Sequence, residues 1–316
     1  MSEIVVIGSL NMDLVVQTPR VPAAGETLLG TGFQLVPGGK GANQAVAASR
    51  AGASVRMIGC TGKDVFSEAI RSSLAAAGVD TGSLVEVQDQ PTGVAAILVD
   101  ASGENRIIII PGANGNLPLQ KAVEAVTVMK KGDLILLQHE IPLTVVHAVI
   151  RTAAATDVQV CLNPAPVFPI PVDLLALVDI LVLNETEAET LSGICVNGRD
   201  TAREAASRLL ASGVGTVIIT LGSTGAFLKS GAEEIFQPAY EVTAVDTTAA
   251  GDTFTGYFTA ARLQGHNNES SLSFAVAAAA LAVTTLGAQS SIPTREEVEH
   301  FFQNHRQEKA GLQVQP

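Results

Sequence analysis

The stretch VDTTAAGDTFTGYFTAARLQG (245–265) sets two aspartates, Asp246 and Asp252, around a Thr-Thr-Ala-Ala-Gly turn that runs directly into an amphipathic helix. Small residues let a backbone turn tightly and approach a ligand closely. The first turn of a helix offers unpaired N–H donors and the positive end of its dipole. A carboxylate planted there, Asp252, either caps the helix or waits beside an anion for a proton.

Other short segments carry similar groups. PGGKGANQAVAASRAG (37–52) places Gly39, Lys40, Gly41 and Asn43 at the start of an Ala-rich helix, a loop that could admit a small polar ligand or simply feed the helix. GSLNMDLVV (8–16) has Asn11 and Asp13 two apart, which strand geometry puts on one face. Such a pair suits adjacent hydroxyls, because Asn donates and accepts while Asp accepts; the plainer alternative is a polar strand end. LLQHEIP (136–142) ends a buried strand with Glu140, and His139 beside it reads as packing or surface. LVLNETEAE (182–189) offers Asn184 and Glu187 to Mg²⁺ waters or phosphate oxygens, or as a helix cap. TLGSTGAFL (220–228) reads as a hairpin carrying Gly222, Ser223 and Gly225. Neither GxxxxGK[ST] nor a GxGxxG after the first strand occurs, which excludes the P-loop and Rossmann fingerprints.

These groups need a scaffold that gathers them. Continuous apolar runs such as IVVIGS (4–9), VRMIGC (55–60), LILLQ (134–138), VQVCLN (158–163), ILVLN (180–184) and TVIITLG (216–222) suit strands buried on both faces. Helix-period segments at 41–52, 66–78, 142–155 and 200–213 alternate with them. This alternation predicts an α/β fold with a doubly wound, mostly parallel sheet flanked by helices. Five of the polar segments then fall at C-terminal strand ends, where such a fold forms its cleft. Two stretches, about 11–37 and 92–112, read instead as strands with hairpin turns and predict a small β-sheet lid. Residues 1–316 are expected to form a single α/β domain bearing that lid, with a polar, frayed tail after about 303.

Of the 316 residues, 47% are hydrophobic and 16% charged, an enzyme-like balance, and the net charge of −12 argues against a nucleic-acid partner. No apolar run is long enough for a membrane span. Three scattered cysteines, with no CxxC, and an N-terminus that enters a strand pattern at once make the cytoplasm the expected location.

GGKGANQAVAA (38–48) and DTTAAGDTF (246–254) resemble the two signature segments of the ribokinase-like, or phosphofructokinase-B-like, sugar kinases. GSLNMD, NPAP (163–166) and NETEAE (184–189) extend the resemblance across nearly the whole chain. It implies ATP-dependent phosphorylation of a small sugar, ribose first, with deoxyribose, another sugar or a nucleoside as alternatives and a sugar-binding sensor without catalysis as a different class. Carried over, Asp252 is the base, and the amides of Ala249, Ala250 and Gly251 form an anion hole. Asn11, Asp13, Gly39, Lys40, Asn43 and Glu140 hold the sugar. Asn184, Thr220, Gly222, Ser223 and Gly225 line the nucleotide site, with Glu187 organising Mg²⁺. Asp246, Thr248, Ala282, Thr285, Gly287 and Ser291 match a monovalent-cation site, usually K⁺. The resemblance also implies a homodimer through the lid. Val276 stands near adenine where relatives often carry a polar side chain, and His139 where an apolar residue is common.

Overall fold

The computed structural model describes residues 2–102 and 104–312; Gly103 of the 92–112 segment and the end of the polar tail, 313–316, lie outside the described residues. In chain order the strands are β1 (Ile4–Ile7), β2 (Asn11–Gln17), β3 (Gly32–Gly38), β4 (Val55–Ile58), β5 (Cys60–Gly62), β6 (Val85–Val87), β7 (Gly93–Val99), β8 (Asn105–Ile110), β9 (Leu134–Gln138), β10 (Gln159–Asn163), β11 (Ile180–Leu183), β12 (Thr216–Thr220), β13 (Gly225–Ser230) and β14 (Glu233–Pro238). The helices are α1 (Lys40–Arg50), α2 (Val65–Ala76), α3 (Leu119–Thr127), α4 (Leu143–Thr156), α5 (Val172–Leu175), α6 (Glu185–Ser192), α7 (Arg199–Ala211), α8 (Ala250–Leu263), α9 (Asn268–Ala282) and α10 (Arg295–Leu312).

The main sheet has the order β14-β13-β12-β11-β10-β9-β1-β4, parallel from β4 to β12 with an antiparallel hairpin at the far edge. Strand alternation sorts its apolar residues onto two faces. Val5, Ile7, Ile135, Leu137, Val217 and Ile219 point into one core, which α4 and α7 complete. Ile4, Val6, Leu134, Leu136 and Ile218 point into the other, against α1, α8 and α9. The chain leaves β1 for β4 on one side and reaches β9 on the other. This reversal opens a crevice at the C-terminal ends of the strands.

The second sheet, β3-β2-β7-β8, falls within the two stretches that the sequence marks as hairpins. Three residues separate β1 from β2 and place Asn11 at the root of this sheet, so β2 follows almost directly from a strand of the main sheet. β8 is exposed along its length.

α1 and α8 meet almost backbone to backbone. A Cβ on Gly256 would lie 2.5 Å from Ala47 Cβ and 2.7 Å from Ala48 N, so only glycine fits there. Gly39, which precedes α1, has φ 91°, a left-handed conformation that disfavours any side chain. The C-terminal segment differs from expectation. α10 continues past 303 to Leu312, because its run of Glu, Gln, Lys and Arg has high helix propensity. Tyr240 packs edge-on against Phe301 and Phe302 of this helix.

Candidate active site

Asp252 lies in the first turn of α8 and is 7% exposed. Its carboxylate is held at both oxygens: Asn43 Nδ2 donates to Oδ2 at 3.0 Å and Gln44 Nε2 to Oδ1 at 2.9 Å. Ala249, at the helix N-cap, is left-handed at φ 60°, which a non-glycine residue seldom adopts. Ala250 N–H reaches Thr247 O at 3.3 Å, and Thr253 N–H closes onto Ala249 O at 2.8 Å. The small-residue turn thus places Asp252 beside helix-start amides, with Asn43 against it.

The predicted sugar residues converge from three elements. Asn11 is 2% exposed, and its Oδ1 accepts from Asn114 Nδ2 at 2.8 Å. Asp13 is 7% exposed. Glycines in neighbouring strands make room for both: a Cβ on Gly93 would lie 2.3 Å from Asn11 Oδ1, and one on Gly38 2.3 Å from Asp13 Oδ2. Burial foremost, then the charges of Glu140 and Asp252, push the Asp13 carboxyl up to about 7. Glu140 Oε2 accepts from Ser9 Oγ at 2.6 Å and from Lys40 N–H at 3.1 Å. Burial raises the Glu140 carboxyl too, against the opposing charge of Lys40. The Lys40 ammonium is held charged by Asp252 above all, against the effect of burial and with help from Glu140 and Glu187. Asn43 Oδ1 is a buried acceptor without a hydrogen-bond partner among the described residues. An incoming hydroxyl would satisfy it.

The nucleotide candidates sit further along the same edge. Asn184 and Glu187 form a reciprocal capping box at the start of α6, so the cap that the sequence allows is real. Glu187 is nonetheless close enough to Lys40 to support its charge. Thr220 Oγ1 donates to Leu183 O at 3.2 Å. Gly222 and Ser223 form a short turn, and Gly225 opens β13 where a Cβ would strike Gln237 O at 2.1 Å. Val276 is buried at 6% exposure.

Asp246 ties two loops together. Its Oδ1 accepts from Thr248 N–H at 2.9 Å and Oγ1 at 2.6 Å, and its Oδ2 from Gly287 N–H at 2.9 Å. Burial works to raise this carboxyl, but the donors from Thr248 and Gly287 outweigh it and keep the group below its ordinary value. Val283 O accepts from the amides of Val245 (2.7 Å) and Asp246 (3.1 Å). Ala282 O takes Thr285 N–H at 3.2 Å, and Ser291 Oγ donates to Ala288 O at 2.8 Å. Of the six cation candidates, Asp246, Thr248 and Gly287 are thus joined directly, while Ala282 closes α9 and Thr285 and Ser291 lie on the segment that follows it. Among the described residues, no three His, Cys, Asp or Glu side chains could together hold a metal ion.

Gln44, Gln138, Asn163, Ser9 and Asn114 also belong to the site, and residue type alone did not single them out. All five are buried. Ser9, Gln44, Gln138 and Asn163 lie inside segments already marked (GSLNMD, GGKGANQ, LLQHE and NPAP), so position relative to a strand end or loop was the available signal.

Residues 1–295 match the pfkB family carbohydrate kinases, and the chain belongs to that family. A ribokinase of Haemophilus influenzae is 42% identical over 299 residues, covering 95% of this chain and 98% of the relative. A deoxyribokinase of Salmonella typhi is 38% identical over 301 residues, covering 95% and 98%. The structure of an Arabidopsis thaliana ribokinase complexed with ribose and ATP superposes with a TM-score of 0.86 at 35% identity, over 95% of this chain and 99% of that one.

Proposed function

We propose that the protein transfers the γ-phosphoryl group of ATP to the 5-hydroxyl of D-ribose. The observation that carries this reading is the Asp252 carboxylate, fixed by Asn43 and Gln44 at the start of α8. The near full-length similarity to ribokinases supports the substrate. Asn11, Asp13, Gly39, Lys40, Asn43 and Glu140 hold the sugar and aim its primary hydroxyl. As that oxygen bonds to the γ-phosphorus and ADP departs, its proton passes to Asp252. A loose transition state asks mainly for positioning and charge neutralisation. We assign the anion hole to the amides of Ala249, Ala250 and Gly251 with the dipole of α8; the Ala250 N–H, which reaches Thr247 O at 3.3 Å, would turn from it to the developing charge. Asn184, Thr220, Gly222, Ser223 and Gly225 take the nucleotide.

The residues fit both implied ions. Both Glu187 oxygens already accept hydrogen bonds from Asn184, which suits an outer-shell role through the waters that Mg²⁺ retains. The carbonyl and carboxylate oxygens around Asp246 suit a hard monovalent cation such as K⁺, which would rigidify the anion-hole loop. We read 1–316 as one α/β domain whose small sheet closes over the sugar and excludes water. Register and alternation put Phe33, Leu35, Ile108 and Ile110, 45–68% exposed, on the face of that sheet opposite Asp13, an apolar surface that a second copy would cover. A cytoplasmic location accords with three free cysteines.

The test is ATP-dependent phosphorylation of ribose, 2-deoxyribose, fructose, tagatose and adenosine, with K⁺ or Na⁺, by wild type and Asp252→Asn. Ribose turnover that K⁺ raises, and that the variant loses by about 10²- to 10⁴-fold, is expected. Preference for deoxyribose would move the substrate toward that of the Salmonella relative. Sugar binding without turnover would leave a sensor.

A further inference from the structure

Asp252 is the end of a longer buried chain. Gln44 lies one residue beyond Asn43 on α1 and is fully buried. Its Nε2 donates both to Asp252 Oδ1 (2.9 Å) and to Asn163 Oδ1 (3.0 Å). Its Oε1 accepts from Gln138 Nε2 at 2.6 Å. Gln138 and Asn163 are register partners on β9 and β10, and alternation puts both on the face of Leu136 and Cys161, toward α1. Two adjacent strand ends thus grip one glutamine.

The direction of this chain is fixed by a group that carries no proton. Asn163 Nδ2 donates to the backbone carbonyl of Val182 at 3.0 Å, and that oxygen can only accept. Asn163 must therefore turn its Oδ1 toward Gln44. Gln44 must answer with its NH₂, and the second hydrogen of that NH₂ points at Asp252. Its oxygen is left facing the Gln138 NH₂. No amide in the series can flip without setting donor against donor or acceptor against acceptor inside the fold, where an unmet polar group is costly; Gln138 Oε1, at the far end, is the one oxygen of the relay without a partner among the described residues. The backbone makes space for the arrangement: a Cβ on Gly8 would lie 2.1 Å from Gln138 Oε1.

We propose that Gln44 is a positioning residue for the phosphoryl transfer, holding the Asp252 carboxylate in one rotation through a Gln138–Gln44–Asn163 amide relay anchored on the Val182 carbonyl. This rests on the reading of Asp252 as the base. Asn43 pins Oδ2 from the cleft side, where substrate arrives, and Gln44 pins Oδ1 from the interior. Gln44 acts through Asp252, so it governs the chemical step rather than sugar affinity.

The test compares full-length Gln44→Ala and Gln44→Glu with wild type in kcat, KM, sugar Kd by calorimetry and thermal melting. Glutamate fills nearly the same space but, when ionised, cannot donate. Both variants are expected to lose kcat by roughly 10- to 100-fold, the scale of a small misplacement of a reacting group. Sugar Kd should stay within about threefold, the mark of an interaction made in the transition state only. Gln138→Met, which removes the donor to Gln44 Oε1, should give a smaller loss of the same kind, at least about threefold, and serves if position 44 does not tolerate change. A folded Gln44 variant with wild-type kcat overturns the relay, and so does a fall in kcat matched by an equal fall in sugar affinity. Asp252→Asn, measured alongside, separates the two ideas. If it keeps wild-type kcat, the base reading falls; if it loses kcat while the glutamine variants do not, only the relay falls.

Discussion

Ser9 and Glu140, 131 residues apart in sequence, share a hydrogen bond of 2.6 Å across the mouth of the crevice. Ser9 follows β1 and also accepts Gly41 N–H at 3.2 Å, while Glu140 follows β9 and accepts Lys40 N–H. The two strand ends and the start of α1 are thereby tied at the point where the sugar is expected to lie.

Glu140→Gln should therefore act on binding more than on rate. The amide oxygen can still accept from both Ser9 Oγ and Lys40 N–H, which share Oε2, but the charge that faces the Lys40 ammonium is lost. The ribose KM should rise about tenfold or more, equivalent to about 1.4 kcal/mol or more, with a smaller change in kcat. Steady-state kinetics decides it; an unchanged KM would remove Glu140 from the sugar site.

Asp13 makes the empty site cost stability as the pH rises. Its carboxyl is raised from 3.8 to about 7 by burial and then by Glu140 and Asp252, so between those values the folded state holds a proton that the unfolded state has lost. Stability then falls with rising pH by about 1.4 kcal/mol per unit, on the order of 4 kcal/mol across the window. Asp13→Asn should match wild type near pH 4, gain on it up to about pH 7 and level off above that, in chemical denaturation without sugar. A difference that does not change with pH would count against this. Hydroxyl donors favour the ionised form, so sugar binding near pH 6 should release a proton, visible in calorimetry with buffers of different ionisation enthalpy.

His139 carries the opposite slope. Burial, and secondarily the charge of His147, lowers its ring to about 4, although a contact with the Pro166 backbone works the other way. A neutral buried imidazole stabilises the fold fully above about 6.5 and less as pH falls from there toward 4. His139→Phe, which retains a ring near Phe168 (centroids 6.1 Å apart in wild type), should lose less stability between pH 6.5 and 4.5 than wild type does. Equal losses in the two proteins would show that His139 protonates freely in the fold.

A charge on the outer strand of the lid should split the proposed dimer. Ile108 is 68% exposed on β8, and Ile108→Glu would leave a buried, unpaired carboxylate if a second copy covers that face. Sedimentation should give a dimer for wild type and a monomer for the variant. A monomeric wild type, or a dimeric variant, would place the contact elsewhere.

Much of the architecture was legible because the relevant signals are local. IVVIGS and LILLQ are too apolar to be anything but buried, and the Gly-rich start of α1 marks its own turn. The small sheet could be read from AAILVD and RIIII flanking turn residues. Less legible were contacts between distant segments. Gln44 is an unremarked polar residue inside an Ala-rich helix until β9 and β10 bring Gln138 and Asn163 against it. The 119–127 helix and the short pair β5–β6 likewise carried no cue strong enough to single them out. The end of the chain was read as frayed from its polarity, but α10 runs on to Leu312, and Tyr240 packs edge-on against His305 within that stretch.

The glycine at 256 sets a distance. Where helices are separated by leucines or methionines, their spacing can drift as rotamers change. Between α1 and α8 there is no such cushion; Ala47, Ala48 and the Gly256 backbone touch directly. The gap between the helix bearing Lys40 and Asn43 and the helix bearing Asp252 is thus gauged by atomic radii. In the proposed reaction, exchanging side chains on β2, β3 and β7 would retune selectivity, while the interval between hydroxyl and phosphorus would stay under separate, nearly incompressible control.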